Sequence, residues 1–195
     1  MATALAHKQV PQMSLELIIG PMFSGKSTTI LRRVKRAEVI GINSLIVTSI
    51  IDTRYNTNTN LVKTHDKQMV EAIGLGDLKE ITLFAAFQKA QLIIIEEAQF
   101  FTGLYEMVHK LVEVYKKDVI VVGLDGDSER KPFGEILQLI PLADNLTKLT
   151  ALCKRCGDGT PALFTYCKST KDTQICVGDA STYEALCRKH YLQPA

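Results

Sequence analysis

The sequence predicts an α/β fold: a mainly parallel sheet with helices on both faces, followed by a small C-terminal lobe of different texture. Two observations carry this. Up to about residue 150, short apolar runs alternate with amphipathic stretches, as expected of strands buried on both faces. Beyond Thr150 that pattern stops, and all five cysteines lie from Cys153 to Cys187.

The elements follow in order. Leu15 to Gly20 (LELIIG) is an apolar run closed by glycine and reads as a buried strand. From Thr28 to Ile40, Ile30, Leu31, Val34 and Ala37 recur at helical spacing with basic residues between them, so a helix with one apolar face is expected. Ser44 to Ile51, Leu92 to Ile95 and Val119 to Gly123 are further apolar, β-branched strands. A helix is expected from Leu104 to Lys116, and another from Glu135 to Leu142 after the transition Pro132-Phe133-Gly134. Asp52 to Asn60 (DTRYNTNTN) and Asp125 to Gly134 (DGDSERKPFG) are loops. The expected organisation is a flexible arm over residues 1–13, an α/β domain over 14–150 and a lobe over 151–195.

Composition narrows the function classes. With 46% hydrophobic and 23% charged residues, the 195-residue chain has the make-up of a packed domain plus a small lobe. A formal charge of +2 gives no reason to expect nucleic acid as the main partner. No apolar stretch approaches the roughly 18 residues of a membrane span, and the opening residues lack the apolar core of a secretory signal. A cytoplasmic location is expected.

Gly20-Pro21-Met22-Phe23-Ser24-Gly25-Lys26-Ser27 fits G-x-x-x-x-G-K-[ST] at every fixed position, between an expected strand and an expected helix. The glycines let the backbone wrap until its N–H groups converge on phosphate oxygens, and the helix adds the positive end of its dipole. Lys26 is expected to reach the outer phosphates and Ser27 to ligate magnesium. A chance match on a structural turn would not bring the flanking strand and helix with it. The domain therefore reads as a P-loop nucleotide-binding core.

Leu92 to Glu97 (LIIIEE) ends an apolar strand in two carboxylates, on the side of a parallel sheet where ligands bind. Neighbouring strand residues point to opposite faces, so the two acids need not share a task. One can hold magnesium and the other can take a proton from an attacking hydroxyl; spacing alone does not say which. The plainer reading, that they cap the helix beginning near Leu104, suffers from the distance along the chain.

Cys153-Lys-Arg-Cys156 and Cys187-Arg-Lys-His190 are two pairs with the same gap, the pattern of a four-coordinate structural zinc site. Four protein ligands leave no open position, so the metal would stiffen the lobe without doing chemistry. Cys167 and Cys176 fall outside this pattern and read as small buried hydrophobes. His65 and His109 read as surface or packing residues.

GPMFSGKST, DTRY, a strand ending in EEAQFF, LDGDSERKPFG and the two Cys/His pairs occur in that order from about Leu15 to Tyr191. In these the chain resembles the thymidine kinases of the cellular, zinc-containing type. The resemblance implies a RecA-like core, magnesium-dependent transfer of the ATP γ-phosphate to the 5′-hydroxyl of thymidine or deoxyuridine, and a homotetramer. It implies that Glu97 is the general base and that Glu96 stands at the magnesium-associated position. Asp52, Thr53, Arg54, Ala98 and Gln99 would lie beside the nucleotide. Met22, Phe100, Leu124, Ser128 and Phe133 would line the base pocket. A lid of Gln174, Ile175, Cys176, Val177 and Gly178, with Tyr183 just beyond, would close over the nucleoside.

The chain departs from that pattern at several positions. Glu96 replaces a usual aspartate, Ser128 a phenylalanine facing the base, Glu129 a glutamine or arginine, and Asp179 a small residue. Loss of a buried aromatic contact typically costs about 1–3 kcal/mol, so a roomier base pocket or weaker thymidine binding is expected. Arg32, Arg33, Lys35 and Arg36 read as a solvated helix face; Arg130 and Lys131 could reach phosphates; Asp125 and Asp127 either shape their turn or meet a metal or ribose. Two rival functions are a nucleic-acid-stimulated ATPase and a nucleotide-binding scaffold without catalysis.

Overall fold

The computed structural model describes residues 12–51, 61–63, 69–168, 174, 178 and 180–193. In chain order the core comprises β1 (Leu15–Ile19), α1 (Lys26–Val39), β2 (Ser44–Ser49), β3 (Leu61–Lys63), β4 (Met69–Glu71), β5 (Ile73–Leu75), α2 (Ala85–Lys89), β6 (Leu92–Glu96), α3 (Leu104–His109), β7 (Asp118–Gly123) and β8 (Asn145–Lys148). The remainder adds β9 (Ala151–Leu152), β10 (Pro161–Ala162), β11 (Phe164–Cys167), β12 (Tyr183–Leu186) and α4 (Arg188–Leu192).

Six strands form one sheet in the order β5-β2-β6-β7-β1-β8, and every pairing in it is parallel. The expected α/β architecture is therefore present. The two edge strands, β5 (IGL) and β8 (NLTK), went unread in the sequence because an edge strand needs no continuous apolar run. All four residues of β8 are solvent-exposed.

Strand alternation divides the core into two layers. Leu15, Leu17, Ile19, Leu45, Val47, Ile93, Ile95, Val119 and Val121 pack on one face with Phe87, Leu104, Val108 and Leu111. Ile18, Ile46, Ile94, Ile120 and Val122 face the other way, against Ile30 and Val34 of α1. Glu16 lies on that second face and pairs with Arg33 of α1. The other basic residues of the cluster, Arg32, Lys35 and Arg36, are exposed, as a solvated helix face requires.

Three helical expectations are corrected. The first helix begins at Lys26, two residues before the expected Thr28, because Gly25 turns left-handed and caps it. The helix expected over Leu104–Lys116 is α-helical only to His109. A π turn over Lys110–Val114 follows, closed by the Tyr115 N–H donating to the Lys110 carbonyl at 2.9 Å. The segment Ile136–Leu142 is a 3-10 helix. Pro141 stands inside it, and an α-helical course there would drive the proline ring against the carbonyl four residues back.

A separate apolar cluster of Ala151, Cys153, Ala162, Ala185, Leu186 and Cys187 gathers the short strands β9–β12. Among the described residues, two of the hydrogen bonds that join it to the core stand out. The Met22 N–H donates to Thr165 Oγ1 at 3.0 Å. The Tyr191 hydroxyl donates to the Ser128 carbonyl at 2.5 Å, with the Arg130 guanidinium 4.6 Å above the Tyr191 ring. Among the described residues, no helix is long and apolar enough to cross a membrane.

Candidate active site

The phosphate loop connects β1 to α1 at the C-terminal edge of the sheet. Gly25 is left-handed (φ 80°, ψ 21°), and no side chain caps the first turn of α1, so its N–H groups face the loop. Lys26 Nζ reaches back along the loop, donating to the carbonyls of Pro21 at 2.8 Å and Gly20 at 3.2 Å. Pro21 is buried, Met22 and Ser24 are half-buried, and Phe23 is exposed with φ 65°.

The two acids diverge as strand alternation predicts. Glu96 shares the Ile94 face, over which α1 lies, and Ser27 Oγ donates to Glu96 Oε1 at 2.6 Å. Glu96 is 2% exposed. Glu97 leaves the strand in a left-handed conformation (φ 50°, ψ 41°), uncommon for a residue with a side chain. Its Oε2 accepts from Gln99 Nε2 at 2.6 Å. Neither acid caps α3: the Gly103 and Tyr105 N–H groups donate to Glu135 Oε1 and Oε2 at 2.8 and 3.0 Å. That disposes of the capping alternative.

Ala98 and Gln99 are both buried, and the Gln99 side chain turns inward to Glu97 and to the Leu124 N–H. Phe100 and Phe133 meet edge-to-face with centroids 5.5 Å apart. Leu124 and Ser128 lie half-buried on the strand end and loop beyond β7. Gln174 comes to the same loop, donating to Asp127 Oδ2 at 2.7 Å and to the Pro132 carbonyl at 3.3 Å. Gly178 is half-buried and Tyr183 is buried at the start of β12, in register with Cys167. Asp52, Thr53, Arg54, Ile175, Cys176, Val177, Asp179, His65 and the arm up to residue 11 lie outside the described residues.

The loop after β7 answers two open readings. Asp127 Oδ1 accepts from the Glu129 and Lys131 N–H groups at 2.8 and 2.9 Å, so it shapes the turn. Asp125 pairs with Lys148 at 2.7 Å. Arg130 packs on Tyr191 and Phe164, and Lys131 pairs with Glu129, which raises its pKa. His109 pairs with Glu113 at 3.2 Å on the helix surface. Sequence reasoning passed over Thr165, whose hydroxyl anchors the phosphate loop; a threonine in a lobe strand carries no motif.

Cys153, Cys156, Cys187 and His190 converge, their ligand atoms all within 4.8 Å of one another. His190 Nδ1 lies 3.5, 3.3 and 3.6 Å from the sulfurs of Cys153, Cys156 and Cys187, and the last two sulfurs are 3.8 Å apart. A tetrahedron with Zn–S near 2.3 Å and Zn–N near 2.05 Å has edges of about 3.8 and about 3.6 Å. The set fits zinc. Burial raises the Cys153 thiol, but hydrogen bonds from Cys187, His190 and Cys156 outweigh it and bring the pKa to about 6. Burial and the neighbouring sulfurs push Cys156 to about 11.

A parallel sheet, a phosphate loop with its lysine at a helix mouth, and two acids on the adjoining edge define a P-loop phosphotransferase. A family model described as thymidine kinase matches residues 13–191. Thymidine kinase a of Arabidopsis thaliana is 42% identical over 92% of this chain and 75% of its own length. The cytosolic thymidine kinase of Homo sapiens is 37% identical over 93% of this chain and 74% of its own. The thymidine kinase of Variola virus is 38% identical over 91% and 96%. The chain belongs to the thymidine kinase family.

Proposed function

We propose that the protein transfers the γ-phosphate of ATP to the 5′-hydroxyl of thymidine or deoxyuridine, with Glu97 as general base. The observation that carries this reading is the junction of loop and acids: Ser27 meets Glu96 at 2.6 Å, and Glu97 follows directly at the same strand end.

The loop amides and Lys26 hold the ATP phosphates in line with the acceptor. Ser27 and Glu96 offer paired hard oxygen ligands of the kind magnesium takes; bound there, the cation would offset negative charge on the phosphates. Glu97 accepts the proton of the nucleoside hydroxyl as its oxygen attacks. Met22, Phe100, Leu124, Ser128 and Phe133 bound the base, and the segment from Gln174 to Gly178 closes over it, excluding water as a competing acceptor. Asp52, Thr53, Arg54 and Ala98 belong to the nucleotide side of the site.

Four family expectations belong to the same reading: a core over residues 14–150 with a zinc lobe over 151–195, structural zinc, a homotetramer and a cytoplasmic location. The zinc quartet carries no chemistry and fixes β9–β12 relative to one another.

The test is Glu97→Gln. ATP affinity should be retained while turnover falls by about 10²-fold or more, the usual contribution of a positioned base. Unchanged turnover would remove Glu97 from the mechanism.

A further inference from the structure

We infer that Gln99 is a positioning residue for the base, gripping the Glu97 carboxylate so that it stays correctly aimed; this rests on the reading of Glu97 as that base.

Gln99 is 3% exposed and spans a short gap behind the strand edge. Its Nε2 donates to Glu97 Oε2 at 2.6 Å, and its Oε1 accepts from the Leu124 N–H at 2.9 Å. These partners leave one orientation of the amide. The Leu124 N–H can only donate and an ionised carboxylate can only accept, so a flipped amide would set like groups against each other. Glutamine is the neutral side chain of this length that satisfies both ends at every pH. A glutamate could accept from Leu124 but would oppose Glu97 with a second negative charge.

The surroundings are cut to this side chain. A Cβ on Gly123 would lie 2.4 Å from Gln99 Oε1. A Cβ on Gly134, itself at φ 61°, would lie 2.2 Å from the Gln99 carbonyl oxygen. The backbone approach therefore restricts Gly134 to glycine, and a Cβ on Gly123 would displace the Gln99 amide from its place. Glu97 stands two residues away in a left-handed conformation that turns it out of the strand course. A carboxylate gripped by a short charge-assisted bond loses rotamer freedom.

The experiment measures kcat and both KM values at about pH 7 for the full chain, Gln99→Glu, Gln99→Met and Glu97→Gln. In Gln99→Glu a second carboxylate replaces the Nε2 donor and repels Glu97, so kcat should fall about tenfold or more. In Gln99→Met kcat should fall about tenfold while both KM values stay within about twofold. A wild-type kcat in folded Gln99→Glu or in folded Gln99→Met overturns the inference. So does a raised ATP KM at unchanged kcat, which would return Gln99 to nucleotide binding. Gln99→Met decides the matter alone should Gln99→Glu not fold. An inactive Glu97→Gln beside normal Gln99 variants sinks only the positioning role, whereas an active Glu97→Gln sinks the base assignment itself.

Discussion

Ser27 Oγ donates to Glu96 Oε1 at 2.6 Å, joining the start of α1 to the end of β6 across 69 residues of chain. In the sheet β7 separates β6 from β1, but α1 leaves the loop after β1 and lies over the Ile94 face, where the two side chains meet.

This contact makes Ser27→Ala a clean probe of the magnesium position. Nucleoside KM should hold, while the magnesium concentration for half-maximal rate rises and kcat falls by about tenfold or more. Titration of activity against magnesium reads both. An unchanged magnesium requirement would separate Ser27 from the metal.

Removal of zinc should act on the lobe first. A strong chelator should release about one zinc per chain and accelerate amide exchange in β9–β12, leaving β1, β6 and β7 protected. Because thiolates must be deprotonated to bind, the same release should follow as pH falls. Equal exchange in both regions would argue that the metal stabilises the whole chain.

The Tyr191 hydroxyl bonds the Ser128 carbonyl at 2.5 Å, and Arg130 lies over the same ring. Tyr191→Phe removes the hydrogen bond and keeps the ring. The expected cost is about 1 kcal/mol, read as a fall of about 2–4 °C in thermal midpoint. A melting temperature identical to wild type would show that the ring contacts alone hold the lobe there.

Ser128→Phe should restore an aromatic wall to the base pocket. The thymidine KM is expected to fall by about tenfold, with deoxycytidine and purine deoxynucleosides disfavoured further. Kinetics across the deoxynucleosides measure this; a raised thymidine KM would mean that the pocket is already closed by other residues.

Much of the site was legible because its parts lie in contiguous runs. The phosphate loop needs glycines, a lysine and a serine at fixed spacing, and each is local in the chain. LIIIEE announces a strand end with acids, and strand alternation already separates Glu96 from Glu97. The Cys/His pairs are equally local, and their knuckle spacing is that of a four-ligand metal site. The weaker readings failed where a tertiary neighbour outweighs the local pattern. Apolar spacing cannot reveal the π turn after His109, nor the tight 3-10 course around Pro141, because both keep an apolar face inward.

By itself the sequence determined the class of fold, the phosphate loop and the Cys/His quartet, since periodicity and ligand spacing are properties of neighbouring residues. Only the tertiary structure decided which acid meets Ser27, that Glu135 caps α3, and that Gln99 turns inward to Glu97. Those choices depend on which strands lie side by side and how closely two backbones approach. Gly123 and Gly134 record that approach, but as letters in a chain they do not name the partner they make room for.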